Sequence, residues 1–154
     1  MPPLRFLCAA ALATLGLAGA RAEAPAEAGA VIATIAPART SIYIGSVTLS
    51  VTPMTRHGGT YQSSYTAKVF PYFFYDESGQ FRIEVSDADL FRLASGQSID
   101  FTGAALRSDG AERPVRGRAT PSGLADGRVK VRVVVSRHLV LVFNTTYHLS
   151  GWQK

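Results

Sequence analysis

Five cations near the C-terminus are the residues best placed to do chemistry. Arg116 and Arg118 alternate with Val115 and Gly117, while Arg128, Lys130 and Arg132 alternate with Val129, Val131 and Val133. A period of two puts each set on one face of a strand. If the two strands form a hairpin around residues 121–127, both sets share a sheet face and stand opposite one another. Like charges paired across strands destabilise a sheet, by roughly 0.2–1 kcal/mol each. Such a row points to a compensating anion: a lipid headgroup, an envelope phosphate, an acidic polysaccharide or an acidic protein. The competing expectation is internal compensation, with Arg82 and Glu84, or Asp100, on a flanking strand of the same sheet. The wider charge distribution sharpens the question. Residues 76–110 carry seven acids and three bases, and residues 111–154 carry eight bases and two acids.

A second candidate is aromatic. Phe70-Pro71-Tyr72-Phe73-Phe74-Tyr75 spans both faces of a strand pattern. Buried on both sides, it would form a central strand. Exposed, it would form a stacking surface for a sugar or an apolar ligand. In a barrel, Tyr61, Tyr65, Phe73 and Tyr75 would line a small-ligand site, with Lys68 beside them.

Other chemistry finds little support. His57, His138 and His148 lack metal-ligand spacing, and a strand from His138 to His148 would hold its two ends too far apart to share an ion. No nucleophile elbow, P-loop or dinucleotide fingerprint occurs. Asp87 and Asp89 at a helix start read as capping residues rather than as an acid–base pair. Asn144-Thr145-Thr146 fits an acceptor pattern for glycosylation but lies inside a strand pattern. No cofactor, no metal and no nucleic-acid motif is indicated, and the expectation leans away from an enzyme.

The elements that would position these residues are mostly strands. Met1–Ala22 reads as a secretory signal peptide, with basic Arg5, an apolar stretch over Phe6–Ala20 and the small-x-small end Ala20-Arg21-Ala22. The implied location is periplasmic or secreted. Cys8 is the single cysteine, so the processed chain would hold no disulfide and must rely on its core. No later stretch has the length of a transmembrane helix. Residues 23–40 are rich in Ala, Glu and Pro and read as a tether, although Val31–Ile35 has the make-up of a short edge strand. Residues 41–150 read as a single β domain.

Alternation runs through Ile42–Val51, Tyr61–Tyr75 with a break at Pro71, Phe81–Val85, Ile99–Gly103, Ala111–Thr120, Arg128–Val135 and His138–Leu149. Thr52–Thr60 reads as a loop, and Ser136-Arg137 as a tight hairpin turn. One helix signal interrupts the strands. Ser86 and Asp89 resemble a capping box, Leu90, Phe91 and Leu93 form an apolar stripe, and Gly96 supplies a stop. The expected class is mainly β: an antiparallel β-sandwich or small β-barrel of seven to eight strands with one short helix. The function this implies is an exported, non-enzymatic binding module of the cell envelope. Its anionic partner would sit on Arg116, Arg118, Arg128, Lys130 and Arg132. The alternative is a barrel-type carrier using the aromatic strand.

Overall fold

A computed structural model describes residues 31–151. The segment expected to be a signal peptide, residues 1–22, and the first part of the expected tether, residues 23–30, lie outside the described residues.

The described residues form ten strands: β1 (Ile32–Ile35), β2 (Ala38–Ile42), β3 (Gly45–Val51), β4 (Thr55–His57), β5 (Thr60–Phe70), β6 (Glu77–Glu84), β7 (Ile99–Arg107), β8 (Glu112–Pro121), β9 (Asp126–Ser136) and β10 (Leu139–Ser150). One helix, α1 (Asp87–Ala94), joins β6 to β7. All pairings are antiparallel, in the order β1-β10-β9-β8-β7-β6-β5-β3-β2, and β4 pairs with β5. The sheet curls until its edges approach, so that β10 lies near β2. Ala33 and Met54 exchange both backbone hydrogen bonds, at 3.0 and 2.8 Å, tying β1 to the segment between β3 and β4.

The strand count exceeds the seven to eight expected, and the surplus has clear origins. Within the segment read as a tether, Ile32–Ile35 forms β1, where a short edge strand was expected, and residues 38–40 begin β2. The expected strand Ile42–Val51 is interrupted at Tyr43-Ile44, which turns between β2 and β3. The loop over Thr52–Thr60 contains the three-residue β4. The last hairpin turn is Arg137-His138, one residue beyond the expected pair.

Side-chain alternation then builds the interior. Tyr61, Ser63, Tyr65, Ala67 and Val69 of β5 are buried, as are Val129, Val131 and Val133 of β9. Their polar neighbours face outward, as the pleat requires.

At one end of the curled sheet, α1 closes the interior with Leu90 and Leu93. The Ser86 Oγ accepts a hydrogen bond from the Asp89 N–H at 3.1 Å, the cap expected from sequence. Gly96 stops the helix at φ +82°, and Gln97 N–H donates to Arg92 C=O at 2.8 Å in a Schellman closure. Arg56 of β4 grips Asp87 at 2.6 Å and fixes the helix start. The opposite end carries the β2–β3 turn, the aromatic run and the β9–β10 turn. It has no α-helix among the described residues, only the short 3₁₀ turn Phe73–Tyr75.

Candidate functional site

The two ends of the interior differ in how they are filled. Beneath α1 the core is nearly solid, leaving an apolar void of about 90 Å³ among residues such as Leu90, Ile99 and Val129. At the aromatic end a chamber of about 560 Å³ opens between the sheet walls. Leu49, Phe81 and Phe143 line both spaces and separate them. Phe143 is 2% exposed, and the Phe81 ring meets Tyr65 edge-on at 5.3 Å. Strands β3, β5, β9 and β10 supply Val47, Tyr65, Val69, Val133 and Leu141 to the chamber wall. Ile44, Tyr72, Phe74, Tyr75 and Leu139 line it from the turns and the aromatic segment at its end.

One polar cluster stands in this apolar wall. Arg113 occupies the inward parity of β8, in step with Val115, and Glu77 the inward parity of β6, in step with Phe81. Arg113 Nε and Nη2 donate to the two oxygens of Glu77 at 3.2 and 2.8 Å, and Nη1 donates to the Val135 carbonyl at 2.8 Å. The Tyr65 hydroxyl donates to the same carboxylate at 3.1 Å. Burial, followed by the neighbouring Glu77 charge, pushes the Tyr65 phenol up to about 12. Arg107 lies 3.3 Å from Glu77 and 3.1 Å from Asp109. Asp76 accepts from the Val69 N–H at 2.7 Å. Each charge facing the chamber therefore already has a partner.

The residues expected to bind an apolar ligand divide accordingly. Tyr65 and Tyr75 line the chamber, whereas Tyr61 lines the small void beneath the helix. Burial pushes the Tyr61 phenol up to about 12, and its hydroxyl has no hydrogen-bond partner among the described residues. Phe73 points away into solvent, 66% exposed. The aromatic run is not a central strand. β5 ends at Phe70, and Phe73–Tyr75 form a single 3₁₀ turn.

The cationic row forms as the sequence suggested. Arg116 pairs with Arg132 across β8 and β9, Arg118 with Lys130, and Thr120 with Arg128. Compensation is partial. Asp100 on β7 sits beside Arg118 in register and accepts two bonds from it, both at 2.8 Å. Those bonds hold the Asp100 carboxyl below the usual carboxylate range. Arg116, Arg128, Lys130 and Arg132 have no ion pair among the described residues. An open groove of about 980 Å³ crosses this face, with Arg116, Arg118, Lys130 and Arg132 on one side and Glu84, Asp89 and Asp100 on the other. Arg128 lies outside it.

The histidines do not converge. His57 lies on β4, His138 in the β9–β10 turn, and His148 on the outer face, 2.7 Å from Asp126. Among the described residues no group of His, Cys, Asp and Glu could hold a metal ion. No helix among them is long and apolar enough to cross a membrane.

Sequence reasoning missed Glu77, Arg107 and Arg113. The readable signal was a charged residue on the core parity of each strand. No protein-family model, curated protein or solved structure matches this chain.

Proposed function

We propose that this protein is an exported, non-enzymatic binding module whose main site is the chamber, and that it carries a small, neutral, largely apolar molecule. The observation behind this reading is the unequal filling of the interior: about 560 Å³ is open at the aromatic end and about 90 Å³ beneath the helix. A space of about 300–1,000 Å³ is the usual range for a small-molecule pocket. The polar cluster favours a neutral ligand, because Glu77 is ion-paired with Arg107 and Arg113 and Asp76 accepts from a backbone N–H, although the Arg107 Nε keeps a donor without a hydrogen-bond partner. A charged headgroup would displace one of those partners and leave it unpaired in a poorly solvated place. The signal-like Met1–Ala22 supports export to the periplasm or beyond, where apolar molecules need a protein to cross water. The test is native mass spectrometry of the purified protein after incubation with a total lipid extract. The reading requires one neutral ligand per chain, and a chain that emerges empty would refute it.

A second reading rests on a different observation: the unneutralised cations Arg116, Lys130 and Arg132 along one wall. These would hold an anionic envelope component or an acidic protein. Arg118 contributes less, since Asp100 already holds it. The substitutions Arg116→Glu, Lys130→Glu and Arg132→Glu together should abolish retention on an anionic matrix at low salt. Unchanged retention would remove this reading and leave the chamber reading untouched.

A further inference from the structure

We infer that the cationic groove is a binding site for a short oligosaccharide that carries a single acidic sugar, a uronate, at one end. This rests on the reading of the cationic wall as an anion site and names the class of ligand it takes; the chamber plays no part in it. Arg116 and Arg132 stand directly opposite one another on β8 and β9, and Lys130 lies two residues further back on β9. Side chains so paired leave their strands about 5 Å apart, so two guanidinium forks can close on one carboxylate. The flanking strands bring no acid into register with these three. On the β10 side Arg132 pairs with Val142 and Lys130 with Asn144, and on the β7 side Arg116 pairs with Thr102. Asp100 is held by Arg118, and Asp89 lies 3.6 Å from Arg92. The nearest free acid is Glu84 on β6, with Thr102 between it and Arg116.

Beyond this end the groove changes character. It shares Glu84 and Thr102 with a shallower trough of about 460 Å³ over β5, β6 and β7, lined also by Gln62, Gln80, Arg82 and Ala104. The two together run from β9 to β5, four strand spacings or about 19 Å. The far half offers amides, a hydroxyl and a small apolar floor, and its one cation, Arg82, stands against Glu84 and Glu112. Cations at one end and hydrogen-bonding groups along the rest suit a ligand built the same way: one anionic group, then a run of hydroxyls that both donate and accept. An evenly charged polyanion would lay its further charges against Glu84 and Glu112. A bilayer is flat, and its anionic headgroups would meet the same acids. An extended peptide would find no strand edge, because β5 to β9 are each paired on both sides and its own backbone groups would go unmatched.

The test is isothermal titration calorimetry of the purified full protein with aldotetraouronic acid, a xylotriose bearing a single glucuronic acid. Neutral xylotetraose and free glucuronic acid are the comparisons. The acidic tetrasaccharide should bind one per chain, more weakly as salt rises, and about tenfold more tightly than either comparison. Arg116→Gln and Arg132→Gln should each weaken it by about tenfold. Gln62→Ala with Gln80→Ala should weaken the tetrasaccharide and leave glucuronic acid unchanged. All four side chains are exposed, so none of these substitutions touches the core. Retention on an anionic matrix separates this inference from the reading beneath it. Protein retained through Arg116, Lys130 and Arg132 that ignores the tetrasaccharide would overturn the inference and leave the anion site standing, whereas loss of both would remove both. Equal binding of xylotetraose would overturn it. Silence of the Gln62 and Gln80 variant would overturn it too, reducing the site to a patch open to any anion.

Discussion

Val133 and Val129 offer a matched pair for testing whether the chamber is real space. Both lie on the inner face of β9, four residues apart, and both are buried, at 7% and 5% exposure. Val133 faces the chamber, with Val115 and Leu141 as its cross-strand neighbours. Val129 faces the void of about 90 Å³, between Ala119 and Thr145. The same change, valine to phenylalanine, should therefore have opposite consequences. At Val133 the added ring enters open volume and covers apolar wall, a gain of up to about 1 kcal/mol at roughly 25 cal/mol per Å². At Val129 the ring meets a closed core, and overpacking costs about 1–3 kcal/mol. The two variants should thus differ by about 2–4 kcal/mol. Urea unfolding followed by far-ultraviolet circular dichroism reads this directly. Equal destabilisation of both variants would show that the aromatic end is as tightly packed as the helix end, and the reasoning would fail.

The remaining expectations concern the polar cluster, the tyrosines and the helix. Glu77→Ala strands the largely buried Arg113 guanidinium and should cost about 2–4 kcal/mol, somewhat less than a fully buried pair because both side chains keep some exposure. A Glu77→Leu, Arg113→Leu double variant should recover most of that loss in the same unfolding assay. Tyr61 and Tyr65 hold their protons up to about pH 12, whereas unfolded tyrosine releases its proton near 10. The stability linked to them is intact below pH 10 and is lost as pH rises toward 12, so unfolding midpoints should fall across that window. Tyr61→Phe and Tyr65→Phe should flatten the fall. Ser86→Ala removes the cap of α1 and should cost about 1 kcal/mol by denaturant titration.

Much of the sheet was legible because its longest strands are half-buried. In β5, β9 and β10, apolar and polar residues alternate over many positions, so period alone fixed the inner face. The helix was legible from Ser86, Asp89 and Gly96, whose backbone roles are local. The short strands were hidden for a physical reason. β2 and β4 have few residues and little alternation to read, whereas β1 was visible as the short edge strand expected at Val31–Ile35 although its partner β10 is distant in sequence.

The cationic row was read from spacing, and its cross-strand register followed from the hairpin around residues 121–127. Its compensation was only partly readable, because Asp100 must be placed opposite Arg118 by the β7–β8 pairing. The chamber was illegible. Alternation tells which side chains point inward but not whether they meet in the middle. The aromatic run shows the same limit: its composition suggests burial, yet the chain leaves the sheet at Phe70 and turns the rings outward.

The central claim is that the chamber takes up an apolar molecule, and titration with a neutral naphthylamine dye tests it most directly. Wild type should bind one dye per chain with saturable, blue-shifted emission, and Val133→Phe should weaken that binding while Val129→Phe should not. Absence of saturable binding, or identical binding by Val133→Phe, would contradict it.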